Sequence, residues 1–443
     1  MSDSGNGSSS GSTDGSRASR RRDLANEQRL VALGEAVDRQ NGNAPKRHRR
    51  PRRRGRAWII SGIAVVVIVV GVVGGGYIYA NYQFDKIPKI TVKGEVKPIS
   101  GKPFNILMIG SDSRAGLTGL VARQTGATVG AAGGQRSDVV KIVHVDPELG
   151  TISMLSIPRD TMTTLLANQN LYGKFNRINV NFGNGPSLLA QTITANFGIQ
   201  INDTIVVSFA GMINAADTIG GVYLDFPYPA RDLYSGLKIP HTGCQQITGF
   251  EALAVVRSRH YEWFENGVWN QDVTSDFGRI WRQNVFLRGM VTRAKGLYNP
   301  LTINSFLSKL PQGIALDNNF SLNELIGLAV KFHSINPAAI QTVTMPDVPG
   351  TYRGQDVEFV QEPEAQRALV KMFGDQLLTP TNPQPNATLA PPLPPHIAVP
   401  TTKTTLKHVT TTTKRIGPPA TTTTTTTIAP EGDQFFDPRV CTP

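Results

Sequence analysis

Phe104-Asn105-Ile106-Leu107-Met108-Ile109-Gly110-Ser111-Asp112-Ser113-Arg114 is the stretch on which the fold turns. Phe104 to Gly110 is short, apolar and closed by glycine, the pattern of a buried strand. It delivers a carboxylate and a guanidinium just past its end. Two more apolar runs follow at 139–146 and 151–157. Pro147-Glu148-Leu149-Gly150 between them is turn chemistry, so the two form a hairpin. Pro186 to Phe197 has helical spacing, opened by proline and closed by Gly198. The pattern then predicts a strand at 204–209, a helix at 211–219 and a strand at 222–226. Helices follow at 249–256, 276–295, 301–310 and 321–333, then a strand at 341–345 and a helix at 362–373. Strands alternating with helices predict an α/β fold layered around a mixed central sheet.

Outward from this tract the composition changes. The chain has 443 residues, and 1–56 is expected to be a disordered tail, its first part dominated by Ser, Gly, Asp, Asn and Arg. Residues 81–103 read as a linker and 104–378 as the one large domain. Residues 379–443, Pro- and Thr-rich, read as a disordered tail. Much of the net charge of +12 sits in Lys46-Arg47-His48-Arg49-Arg50-Pro51-Arg52-Arg53-Arg54-Gly55-Arg56. Next to it, 57–80 is an uncharged Val/Ile-rich stretch. As a helix it reaches roughly 34 Å, enough for a bilayer core, with aromatic residues at both ends.

The basic block therefore reads as a membrane-surface element and not as a nucleic-acid patch. By the positive-inside rule it leaves the N-terminus cytoplasmic and the domain extracytoplasmic, on a single-pass anchor in the cell membrane. A cleaved signal peptide is the rival, disfavoured by the length of the run and the lack of a small-x-small site. The two cysteines, Cys244 and Cys441, lack metal-ligand spacing; they either pair, tying the end of the tail to the domain, or stay as free thiols.

The chemistry lies in four polar clusters. Gly110-Ser111-Asp112-Ser113-Arg114, Gln135-Arg136-Ser137-Asp138 and Pro158-Arg159-Asp160 each join a carboxylate to an arginine at the edge of a strand. Singly they read as surface ion pairs worth little; three at strand ends mark the rim where layered α/β sheets hold ligands. The fourth cluster pairs Arg257-Ser258-Arg259 at a helix end with Asp276-Phe277-Gly278-Arg279-Ile280-Trp281-Arg282-Gln283. There Arg279, Arg282 and Gln283 fall at i, i+3 and i+4 on one helix face. So many guanidinium forks call for an anion carrying several charges, such as a pyrophosphate bridged by a divalent cation. Asp112 and Asp138 supply hard oxygens for Mg²⁺ or another divalent cation. No nucleotide-binding loop is present. Asp225 and His241 read as structural polar groups.

Gly-Ser-Asp-Ser-Arg (110–114), Arg-Ser-Asp (136–138), Ser-Ile-Pro-Arg-Asp (156–160), Arg-Ile-Asn (177–179), Ala-Leu-x-x-x-Arg-Ser-Arg (252–259) and Asp-Phe-Gly-Arg-x-x-Arg-Gln (276–283) occur in one order over roughly 104–296. In this the chain resembles the LytR–CpsA–Psr family. The resemblance implies a three-layer α/β/α sandwich with an apolar tunnel for a prenyl tail. The activity implied is a phosphotransferase, moving a glycopolymer from a polyprenyl-pyrophosphate lipid carrier to the C6 hydroxyl of N-acetylmuramic acid in peptidoglycan. Carried onto this chain, it places Asp112 and Asp138 at a magnesium site. Around the pyrophosphate it puts Arg114, Arg136, Arg159, Arg257, Arg259, Arg279 and Gln283. Arg177, Asn179 and Arg282 join them as candidate binding residues, and Asp276 is a carboxylate for the acceptor hydroxyl. Two features depart from the family: Arg177 where a lysine is usual, with Lys174 nearby, and an insert at 260–271 between the arginine clusters. Two other functions use the same site: hydrolysis of the prenyl pyrophosphate, and its retention without turnover by a membrane-bound regulator.

Overall fold

The computed structural model describes residues 14–40, 74–114, 137–295, 308–333, 335–385 and 434–442, together with Leu117, Ala122 and Ser305. It divides into two units, Met1–Gly75 and Gly76–Pro443. In the first, Asp14–Gln40 forms helix α1, whose described side chains are all exposed. This corrects the expectation of disorder across 1–56: Arg, Leu, Ala, Glu and Gln dominate the second half of α1, and their intrinsic propensity favours a helix without an apolar face. The basic block and the apolar run up to 73 lie outside the described residues. Residues 74–84 form helix α2. Among the described residues no helix is long and apolar enough to cross a membrane.

The second unit is built on a seven-stranded mixed sheet. Its strands are β1 (Lys89–Ile90), β2 (Phe104–Ser111), β3 (Ser137–Asp146), β4 (Thr151–Ile157), β7 (Asp203–Val207), β14 (Ile314–Asp317) and β15 (Gln341–Thr344), in the order β1-β14-β7-β2-β3-β4-β15. The β3–β4 hairpin is antiparallel, while β2 runs parallel to β7 and β4 to β15. Alternation along β2 decides the layering. Leu107 and Ile109 point to one face, where Ile142 and Leu155 meet α3 (Pro186–Phe197) and a late helix, Glu364–Phe373. Phe104 and Ile106 point to the other, with Leu316 and residues of α2. Leu107, Ile109 and Ile142 are fully buried, each worth roughly 1.5–3 kcal/mol.

Helices α4 (Phe209–Thr218), α5 (Gly249–Arg257) and α6 (Asp276–Ala294) meet a second apolar cluster. That cluster also takes in β8 (Val222–Phe226), β9 (Ala230–Asp232), β10 (Leu237–Ile239) and β11 (Gly243–Ile247). The insert is not a free loop: β12 (Glu262–Glu265) and β13 (Val268–Gln271) form a hairpin joined to β9. Short pairs β5 (Met162–Thr164) with β6 (Phe175–Arg177), and β16 (Asp347–Tyr352) with β17 (Gln355–Val360), complete the lobes.

Both boundaries of the domain move outward. Residues 81–103 are not only a linker, because Phe84 and Ile87 are buried and β1 pairs with β14. The tail beyond 378 is likewise not wholly disordered. Residues 434–442 return to the domain, where β18 (Arg439–Val440) pairs with β8, Phe436 stacks on Trp263 at 3.9 Å, and Cys441 is disulfide-bonded to Cys244. The pairing alternative is therefore the correct one. In the chain-entropy picture, a loop of 197 residues closed this way stabilises the fold by about 5 kcal/mol.

Candidate active site

β2 and β3 end side by side, Gly110 opposite Val139 and Ser111 opposite Ser137, with a register shift between them. Glycine is required there: a Cβ at 110 would stand 2.7 Å from that of Val139. The paired strand ends put the half-buried Asp112 and Asp138 at one rim of the sheet. After β4, Pro158-Arg159-Asp160 brings Arg159 to the same rim, where its Nη1 donates to Asp138 Oδ1 at 2.9 Å.

The double arginine meets this rim from the other side. Arg257 is the last residue of α5, and Ser258 turns extended (φ −65°, ψ 115°). Residues 257 and 259, which would diverge on a continuous helix, thus line one cavity. Asp232 makes the turn. It accepts from Ser258 Oγ at 2.7 Å and from the backbone of His260 at 2.9 Å, as well as from Tyr234 and Ser235. Burial works to raise its pKa, yet these hydrogen bonds together hold it below the usual carboxylate value. The guanidinium of Arg257 lies 4.8 Å over the ring of Phe209, and its Nη1 is buried without a hydrogen-bond partner. Burial pushes its pKa down against the pull of Asp138. A desolvated fork with an idle N–H is a seat for an anion.

Asp276, opening α6, gathers three arginines: Arg259 at 2.5 Å, Arg279 at 3.1 Å and Arg159 at 3.7 Å. Arg279, 4% exposed, also donates to the carbonyl of Asp138. Gln283 Nε2 donates to the carbonyl of Val256. Arg159, Arg257, Arg259, Arg279 and Gln283 border a cavity of about 430 Å³ whose lining also holds the apolar Met108, Val207, Phe209, Met212, Phe286 and Met290.

Arg282 requires a correction. It is fully buried, and its guanidinium pairs with Asp272 at 2.9 Å and Asp437 at 2.7 Å and donates to the carbonyl of Ser258. Positions i+3 and i+4 sit about 100° apart around a helix, so Gln283 meets the cavity while Arg282 turns into the protein. Gly278 serves this knot: a Cβ there would strike Asp272 Oδ2 at 2.1 Å. Arg177 and Asn179 stand behind the rim and do not line it. Arg177 pairs with Asp160 at 3.1 Å, and the backbone N–H of Asn179 donates to the carbonyl of Arg159. Arg114 is exposed beyond the end of β2, and Arg136 lies outside the described residues.

Sequence reasoning missed Asp232, which carries no local signal, and Lys141. The latter is buried and lines the cavity, donating to Ser156 Oγ at 2.7 Å and Asn284 Oδ1 at 2.6 Å. Its signal was legible, since a lone lysine interrupts the apolar run 139–143.

Among known proteins, the chain is 27% identical over 315 residues to polyisoprenyl-teichoic acid–peptidoglycan teichoic acid transferase TagV of Bacillus subtilis (strain 168), covering 68% of this chain and 73% of that one. To the probable cell wall biosynthesis protein LcpB of Corynebacterium glutamicum it is 30% identical over 251 residues, 56% of this chain and 55% of the relative. In fold it is similar to a LytR-Csp2A-Psr enzyme from Actinomyces oris, with a TM-score of 0.52 at 19% identity over 67% of this chain and 97% of the other. The LytR_cpsA_psr family model matches residues 78–373, a span that takes in the rim, the double arginine and the opening of α6, and the chain belongs to that family.

Proposed function

We propose that the protein transfers a glycopolymer from a polyprenyl-pyrophosphate carrier to a hydroxyl of peptidoglycan, that of N-acetylmuramic acid, by phosphoryl transfer. The observation that carries this is one cavity with two characters: Arg159, Arg257, Arg259 and Arg279 share its lining with Met108, Val207, Phe209, Met212, Phe286 and Met290. Such a site suits a ligand with a polyanionic head and a hydrocarbon tail. The names of the B. subtilis and C. glutamicum relatives support the same reading. The arginines neutralise charge that builds on the phosphates as the acceptor oxygen attacks and prenyl phosphate leaves. Asp276 holds three of them in register, and Asp232 keeps the 257–259 turn extended.

Asp112 and Asp138, on neighbouring strand ends, fit a divalent cation that completes its shell with phosphate oxygens and water. Among the described residues no group of three or more His, Cys, Asp or Glu forms an all-protein cage. Mg²⁺ there would supply further neutralisation of the phosphate oxygens.

The test incubates purified full-length protein with a polyprenyl-pyrophosphate oligosaccharide, Mg²⁺ and peptidoglycan oligomers, followed by mass spectrometry. Expected are prenyl monophosphate and a glycan joined to peptidoglycan through a phosphodiester. Product formed only with water indicates the hydrolase, and an unchanged donor the non-catalytic regulator. The basic block and the run at 57–80 support a single-pass anchor in the cell membrane, with the domain extracytoplasmic. A cysteine at Ser8 should then resist a membrane-impermeant thiol reagent in intact cells while one at Thr410 reacts, and the reverse pattern refutes the topology.

A further inference from the structure

A second cavity, of about 410 Å³, adjoins the first and shares Arg259 with it. Its walls are Pro158 and Asp160 after β4, the start of α6 including Asp276, and the β16–β17 hairpin with Thr351, Asp356 and Glu358. Asp160 and Asp276 are already neutralised by ion pairs with arginines. This leaves Asp356 and Glu358 as further acceptors in the wall and no spare guanidinium for a phosphate, so this space is no extension of the pyrophosphate site. It suits a neutral, hydroxyl-rich ligand that donates hydrogen bonds.

Glu358 is the singular group here. Its backbone N–H donates to the carbonyl of Asp160 at 2.9 Å, and the residue bridges to Thr161, which ties β17 to the segment carrying Arg159. Its Oε2 is buried with no hydrogen-bond partner. A buried acceptor left unsatisfied costs about 1–3 kcal/mol, and such exceptions call for a functional explanation. Asp276 differs, because both of its oxygens lie in ion pairs with guanidinium groups, even though Oδ1 makes no well-aligned hydrogen bond. Ser275, at the cavity wall, is held at φ 50°, ψ −105°, a strained backbone of the kind that clusters at working sites.

We propose that the second cavity receives the acceptor sugar and that Glu358 takes the proton of its attacking hydroxyl. This rests on the transferase reading. The acceptor oxygen bonds to the phosphorus next to the glycan, and the bond from that phosphorus to the bridging oxygen breaks. Prenyl monophosphate departs with the electron pair, and the hydroxyl proton passes to the Glu358 carboxylate and then to solvent. Burial, then the charges of Asp160, Asp276 and Asp356, raise the pKa of Glu358 to about 7. Asp347 on the facing strand is itself held well above the usual carboxylate range by burial and then by the charge of Glu358, and Arg259 is the cation in the cavity wall. A base near neutrality both holds and releases a proton under working conditions.

The experiment uses the full-length protein in detergent, a synthetic polyprenyl-pyrophosphate disaccharide as donor and a peptidoglycan tetrasaccharide as acceptor. Glu358→Gln should lower kcat for transfer by about 100-fold with donor Kd unchanged, and should abolish the limb of the pH profile that climbs through neutrality. Glu358→Asp should restore part of both. Thr351→Trp, at the exposed rim, should raise the acceptor KM without altering donor Kd. A wild-type protein that consumes no donor, or passes it only to water, removes the transferase reading and this proposal with it. An active wild type with Glu358→Gln matching it in kcat and pH profile overturns the proposal alone, as does a Glu358→Gln protein that no longer binds donor.

Discussion

Arg257 and Arg282 belong to the same polar cluster and do opposite things. Arg257 keeps a buried, idle Nη1 at the cavity, whereas Arg282 is tied by two carboxylates and a carbonyl. Arg257→Lys preserves charge but not the planar fork. It should reduce kcat at least as far as affinity, by about 10- to 100-fold, with the unfolding midpoint unchanged. Arg282→Ala should strip the buried Asp272 and Asp437 of their shared guanidinium and cost about 3–5 kcal/mol of stability. Chemical denaturation and donor-turnover assays on both variants separate these roles; a stable Arg282→Ala protein with impaired donor binding would return that residue to the site. Residue type and order made the arginine cluster legible, because few other ligands call for such a density of forks. What could not be read was direction: a helix offers neighbouring positions to different surroundings, and only the partner, here Asp437 from the far end of the chain, decides which way a side chain points.

At the scale of elements, legibility followed length and period. The strands Thr151–Ile157 and Val222–Phe226 and the helix Pro186–Phe197 lie where the apolar pattern and the Pro and Gly signals put them. The helix at 276–295 differs by one residue, and that at 301–310 falls largely outside the described residues. Strands of two or three residues are too short to show alternation, and β1, β5, β6, β9 and β10 escaped for that reason. The β12–β13 hairpin was readable, since Asn266-Gly267, both at positive φ, is the turn chemistry that closes such ribbons; reading the segment as an insert hid it. The β16–β17 hairpin turns at Arg353-Gly354, where the non-glycine residue at φ 52° gives no such signal, so the strand carrying Glu358 was not anticipated. The return of 434–442 depends on a pairing that spans 197 residues; the two cysteines offered it as one of two alternatives, while composition averaged over a Thr-rich tail hides it.

For the whole molecule, the end of the central sheet opposite the rim carries a cost that depends on pH. Asp203, on β7, is fully buried with neither carboxylate oxygen hydrogen-bonded. Around it stand Glu95, Asp317 and Glu324. Burial, then the charges of Glu324, Asp317 and Glu95, raise the pKa of Asp203 to about 8. Glu95 is raised to about 7, chiefly by burial. A carboxyl whose pKa is higher in the folded than in the unfolded chain favours folding while it is protonated in both states. As pH rises past the ordinary carboxyl value, the unfolded chain ionises first, and the folded state falls behind by about 1.4 kcal/mol for each pH unit until Asp203 itself ionises. Stability should therefore decline from about pH 4 to about pH 8 through this group. Glu95 and Glu358 add slope of the same sign up to about pH 7. Asparagine at 203 keeps the shape and cannot ionise. Asp203→Asn should unfold at nearly the wild-type temperature in mild acid, at a clearly higher temperature at pH 8, and with a flatter dependence between. Calorimetric melts of both proteins across that range decide it. Parallel curves would mean that Asp203 keeps an ordinary pKa in the folded state, and that water or a counter-ion reaches the carboxylate behind β7.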